Sequence, residues 1–186
     1  DRWRPELLER LVEVMVGEDA DAVVCGWQRR DGEVVLETIA PPTTAELPAR
    51  LLEDPVVVPS CLVVRASAFT ALGGFDPTLR YGEDWDLALR LVEAHRVVSV
   101  PDVLVEREVH PNARYGPRLV GDHREMVRRL RPRLTGLPPA ERRRARHRHR
   151  VRLAQYALRV ALEPVLVGRG PWRARHAHRV RRAASR

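Results

Sequence analysis

The 186 residues are 44% hydrophobic and 31% charged, which suits one globular domain with a real core and excludes a disordered tail. No run approaches the roughly 18 uncharged residues of a membrane-spanning helix, and the first twenty residues mix charged and apolar side chains unlike a signal peptide. The net charge of +8 is uneven: residues 1–140 hold 18 Arg against 23 Asp and Glu, a net −5, and residues 141–186 hold 15 Arg against Glu141 and Glu163, a net +13.

All 33 basic residues are Arg, which reads as coding bias in a GC-rich gene more than as a selected phosphate-binding surface. Cys25 and Cys61 are far apart with no CxxC partner, so neither a zinc knuckle nor a disulfide framework is indicated and a reducing compartment is expected.

In chain order, Pro5 suits a first helical turn, and Leu7, Leu8, Leu11, Val12 and Met15 then recur at three- and four-residue spacing up to Gly17, an amphipathic helix with no strand before it. Ala22 to Trp27, the Asp31-Gly32 pair, and Val34, Leu36 and Ile39 predict a β-hairpin. Pro41, Pro42 and Pro48 break the next stretch, and Val56–Val58 and Cys61–Val64 read as strand. A short helix from Ala66 ends at Gly73-Gly74, with Phe75 folding back as an apolar anchor. The next helix starts near Glu83, with Leu87, Leu91 and Val92 buried and Leu89 at the margin. Val97–Val100 and Val103–Val105 are the last strand signals. Beyond Pro117 the pattern is helical, interrupted at Gly136–Pro139 and Pro164–Pro171.

The stretch Gly73-Gly74-Phe75-Asp76-Pro77, then Tyr81-Gly82-Glu83-Asp84-Trp85-Asp86-Leu87, carries the most chemistry. Three carboxylates share one first turn, where free N–H groups and the helix dipole favour ionisation while neighbouring acids oppose it. Asp84 and Asp86 diverge by about 200° on a regular helix, so they serve different surroundings. Capping alone also favours acids in a first turn.

These residues resemble the second half of family 2 glycosyltransferases of the GT-A fold, in which a glycine pair with Phe and an acid precedes an acidic ED-W-D helix. Trp3-Arg4-Pro5 with its Leu-rich helix is similar to the segment behind the family's DxD metal motif. Val109-His110-Pro111-Asn112 resembles its late strand-and-loop histidine. The resemblance covers residues 1 to about 115. It implies an α/β fold, a partial GT-A (Rossmann-like) domain in which residues 1–115 form the acceptor-side half, followed by a helical, Arg-rich extension over residues 116–186.

Carried over residue by residue, the resemblance makes Asp84 the general base that takes the acceptor hydroxyl proton as the sugar leaves its nucleotide with inversion. Glu83 helps position acceptor or base. Trp85 packs under the site or walls the acceptor, and Asp86 is the element's second acid, with Arg90 one turn on as an ordinary ion-pair partner. Ser60, entering the strand ahead of the glycine pair, can hydrogen-bond a sugar or cap the strand. His110 is the implied ligand to a divalent cation, Mn²⁺ or Mg²⁺, and Arg114 the implied partner of phosphate.

The partners implied are a nucleotide-sugar donor and a saccharide or lipid-linked acceptor, with the enzyme on the cytoplasmic side in polysaccharide or cell-envelope synthesis. The family's nucleotide-binding half and its DxD are absent from these residues. The expectation is therefore a fragment, a split gene product or a mis-started frame that transfers no sugar alone, with most cation ligands elsewhere.

In the basic segment Val151, Ala154, Leu158, Ala161, Leu162 and Val165 fall on one helical face and Arg152, Gln155 and Arg159 on the other. This predicts either a helix docked on the domain or a peripheral contact with anionic lipid. The rival classes are a nucleic-acid module using the +13 segment, or a non-catalytic half docking through Leu7–Met15. With only Tyr156 and Trp172 as aromatics there and no helix-turn-helix, finger or RNA-recognition pattern, no specific nucleic acid is expected.

Overall fold

The run Ala22–Asp31 forms a strand, β2, whose first seven residues are all buried. It is the axis of the fold. The computed structural model describes residues 1–108 and 118–167. Ahead of β2 come β1 (Arg2–Trp3) and helix α1 (Leu7–Gly17); after it come β3 (Val34–Ile39), α2 (Leu47–Glu53), β4 (Leu62–Val64), α3 (Ala66–Ala71), α4 (Glu83–Ala94), β5 (Val97–Glu108), α5 (Leu119–Thr135) and α6 (Pro139–Val167).

The five strands make one mixed sheet in the order β1-β5-β2-β3, with β4 also on β2. β5 runs parallel to β2, from Ala22 opposite Val97 to Arg30 opposite Glu108. β4 pairs antiparallel with the first part of β2 and β3 with its second part. The structure is thus α/β, as expected, and the hairpin turns at Gly32-Glu33, one residue beyond the expected pair, with Asp31 opposite Val34 and Gly32 in the left-handed region. The two-residue β1, antiparallel to β5, was not foreseen, since so short a strand leaves no periodic signal.

Two stretches depart from the sequence reading. Val56–Val58 is extended without pairing and leads into a 3₁₀ turn over Pro59–Cys61, because Pro59 has no N–H to give a ladder. β5 instead continues through Pro101-Asp102 as one strand of 12 residues. Register slips on either side of Gly26 absorb the proline, as a bulge does. Gly26 is required there by close approach: a Cβ would lie 2.9 Å from the Ile39 carbonyl oxygen and 3.0 Å from Val103 Cγ2.

α1 turns Leu7, Leu11 and Met15 inward and leaves Leu8, Val12 and Val16 exposed. α4 is buried nearly all round, with Trp85, Leu87, Ala88, Leu89 and Leu91 inside, so Leu89 is core and not margin. The cause is packing on two sides. Leu87 and Leu91 join a cluster with Ala22, Phe69 and Leu72, while Trp85, Ala88 and Leu89 belong to the main core. Met126, Leu130 and Leu134 of α5 and Ala145 of α6 lie in that same main core.

α6 docks through its charged face. Glu53, at the end of α2, is buried and is held by Arg50 at 2.9 Å, Arg148 at 3.2 Å and Arg144. The adjacent Asp54 takes Arg148 at 2.8 Å and Arg152 at 2.5 Å. Val151 and Leu158 therefore face outward, Leu158 being 59% exposed. The docked helix was one of the two readings of the segment, but the docking face is the opposite one, because two inward-facing carboxylates demand cations. α6 extends to Val167, past the break expected at Pro164. Among the described residues no helix is long and apolar enough to cross a membrane.

Candidate functional site

The glycine-rich lead-in folds as its residues dictate. Gly73 and Gly74 both take left-handed φ values, 74° and 70°, closing α3. Phe75 folds back edge-on against Phe69, ring centroids 5.6 Å apart. Asp76 caps the following turn by accepting from the Thr78 amide and hydroxyl and from Arg129. These bonds hold its carboxyl down at about 2.

Gly82 then precedes α4 with φ 76°. A side chain there would be strained by that φ, and its Cβ would press on Met126 Cγ at 3.3 Å. Gly82→Ala is expected to cost about 1–2 kcal/mol, the left-handed penalty for an L-residue. Urea unfolding measures it, and an unchanged midpoint would mean that the turn relaxes freely.

α4 sends its three acids in different directions. Glu83 is exposed at the helix start. Asp84 enters a pocket of about 310 Å³ whose other lining residues include Val57, Pro59, Leu62, Phe69, Phe75 and Leu87. It is the one ionisable residue among the described residues that line the pocket. Burial in these apolar walls raises its proton affinity, the Trp85 amide 2.7 Å from Oδ1 opposes this, and Glu83 adds to it. A single carboxylate made more basic by an apolar pocket is a candidate proton acceptor. Asp86 is buried and bonded to Arg90 at 2.7 Å; Arg90 also donates to the Leu72 and Gly74 carbonyls. That pair ties the glycine turn to α4, so Asp86 positions the lead-in and is not open to a ligand.

Trp85 is fully buried. Its Nε1–H donates to the Leu51 carbonyl at 2.5 Å, and His123 stacks on it with centroids 6.2 Å apart and His149 at 5.8 Å. Of its two readings the structure gives packing beneath the site. His149 bonds the Leu52 carbonyl at 3.0 Å through Nε2, whereas the His123 ring makes no hydrogen bond of good geometry and has only a weak interaction with the His149 backbone. Tyr81 and Tyr156 close round His123, their hydroxyls 2.7 Å apart.

Burial, then the neighbouring His149 and Arg152, lower the His123 pKa from 6.5 to about 4, with the His149 backbone and, more weakly, Asp54 opposing. His149 is lowered too, chiefly by burial. A folded pKa below the unfolded one means that the unfolded chain binds more protons, so stability is complete above about pH 6.5 and falls as the pH drops toward 4. The loss from His123 is expected to reach about 2 kcal/mol by pH 5. His123→Phe removes that slope, and urea midpoints equal at pH 7 and 5 for the unmodified protein would refute it. Asp76 and Glu125, both held down at about 2, lose their contributions from their ordinary values of 3.8 and 4.5 downward, so at about pH 5 the slope is set mainly by the histidine.

Ser60 donates its hydroxyl to the Asp1 carboxylate. Asp1 also lies 3.4 Å from Arg107 Nε. Arg107 was not singled out by the sequence: it stands over the Trp27 ring at 4.9 Å, and its charge favours ionised Asp84. Only the register of β5 against β2 brings Arg107 and Trp27 together, and they are 80 positions apart, so no local pattern announces them. His110 and Arg114 lie outside the described residues. Cys25 and Cys61 are buried free thiols pushed up to about 11 and about 12 by desolvation, which leaves neither a reactive nucleophile.

Among the described residues, no group of three or more His, Cys, Asp or Glu is placed to hold a metal ion. The described side chains thus offer no cation cage of their own. Neither the protein-family models nor the curated proteins include a match to this chain.

Proposed function

We propose that the chain is the acceptor-side part of a GT-A glycosyltransferase, with Asp84 as the base of an inverting transfer from a nucleotide sugar to a saccharide or lipid-linked hydroxyl. One observation carries the reading: the carboxylate that the ED-W-D element nominates is the one its helix delivers into an apolar pocket, while the element's second acid is consumed by Arg90. The pocket's aromatic walls, Phe69 and Phe75, suit the apolar face of a sugar ring.

In the proposed step the acceptor hydroxyl gives its proton to a carboxylate oxygen of Asp84 as its own oxygen bonds to the anomeric carbon. The bond from that carbon to the nucleoside diphosphate breaks on the opposite side. Burial gives Asp84 the affinity to take the proton, while the Trp85 amide, with a small contribution from Arg107, favours its ionised form before the step, the compromise a general base needs. Glu83, exposed beside it, reaches the acceptor from the solvent side.

The test is nucleoside diphosphate release and sugar transfer by the native gene product, with Mn²⁺ and a panel of nucleotide hexoses, for the unmodified protein and Asp84→Asn. Transfer lost with folding intact supports the reading. Transfer retained removes Asp84 from it.

A further inference from the structure

α5 and α6 do not close completely against each other. Between them lies a cleft of about 860 Å³ lined by Arg124, Arg128 and Arg131 from one helix and Arg146 and Arg150 from the other, with His123 and His149 also in its wall. Among the described residues that line it, none is acidic. Arg128 bonds Glu125; Arg124, Arg131, Arg146 and Arg150 have no ion pair among the described residues. The four arginines without an ion pair repel each other round one concavity, and an anion there would relieve this.

The cleft wall adds the second observation. Nδ1 of the buried His149 has no partner, and the wholly buried His123 ring makes no hydrogen bond of good geometry, its one polar interaction being a weak one with the His149 backbone. A buried polar group without a partner costs free energy that a bound acceptor would recover. Uncharged imidazoles offer N–H donors and arginines planar forks, and phosphate oxygens accept from both.

We propose that the α5–α6 cleft is a phosphate-binding site, taking a phosphate or diphosphate group carried by a free small molecule or by a lipid headgroup. A concave cleft with arginines on two opposed walls fits a compact anion, whereas a nucleic-acid strand needs an extended basic track with stacking aromatics. No described residue lines both this cleft and the Asp84 pocket, so binding here is read independently of transfer.

The experiment titrates the full chain with inorganic pyrophosphate by calorimetry, and with phosphatidic acid vesicles against phosphatidylcholine vesicles by sedimentation. It compares the unmodified protein with Arg131→Gln/Arg146→Gln and with Arg142→Gln/Arg143→Gln, a pair of equal charge change outside the cleft. Pyrophosphate binding is expected to weaken at least about tenfold in the first variant, as loss of two charge-assisted contacts implies, and less than about twofold in the second. The His123 ring nitrogens should shift in ¹⁵N spectra on saturation. Pyrophosphate binding that vesicles do not compete with assigns a free ligand; vesicle binding that pyrophosphate displaces assigns a headgroup. Equal losses in both variants, no shift at His123, or binding to DNA alone would overturn the site.

Discussion

Asp84→Asn is expected to lower the transfer rate by about 10²–10⁴-fold, the range a positioned general base supplies, while the protein becomes no less stable. The two halves of this expectation have one cause. Apolar walls raise the proton affinity of Asp84, so the ionised carboxylate is disfavoured where it stands. An amide of the same shape keeps the bond to the Trp85 N–H through its oxygen and carries no charge to desolvate. A variant that melts at or above the parent temperature with transfer abolished is the signature of a strained functional group. If the proposed transfer holds, kcat/KM of the unmodified protein should rise with pH through a transition above the ordinary Asp value, and Asp84→Glu should recover only part of the rate because its carboxylate is displaced. Unaltered transfer in Asp84→Asn would end the assignment.

Trp85→Ala is expected to cost about 3–5 kcal/mol, the range for removing a large aromatic from a packed core. The side chain fills the space among α2, α5 and α6, so its loss opens a cavity and leaves the Leu51 carbonyl without its donor. His123 and His149 lose their stacking surface at the same time. Trp85→Phe keeps most of the volume and loses the bond, and should cost about a third as much. Urea denaturation measures both. A loss below about 1 kcal/mol in Trp85→Ala would mean that the core collapses onto the gap and that Trp85 does not anchor α4.

Local signals carried the elements whose chemistry is local. Asp31-Gly32 marked the hairpin to within one residue, Gly73-Gly74 ended α3, and Glu83 opened α4, because turn and cap geometry depends on a few adjacent residues. The position of Asp84 in the first turn of α4 was legible in the same way, and so was Arg90 one turn beyond Asp86. What the sequence did not disclose depends on partners distant in the chain. Leu89 proved to be core because α4 packs on both sides, and a helix buried all round has no single apolar stripe to read. Arg107 stands over Trp27 only through a pairing of remote strands. The face of α6 that docks was unreadable from its own periodicity, since the choice was made by Glu53 and Asp54 on α2.

The clasp between the end of α2 and α6 decides where this chain can be cut. A truncation before Pro139 would strip Glu53 of Arg144 and Arg148 and leave a carboxylate inside the core with Arg50 alone, the situation buried charges tolerate worst. Such a shortened protein would report on unfolding and not on the removal of positive charge. Experiments aimed at the electrostatics of residues 141–167 therefore call for point substitutions on the outward face, with Arg144, Arg148 and Arg152 kept as the counterions of the protein's interior.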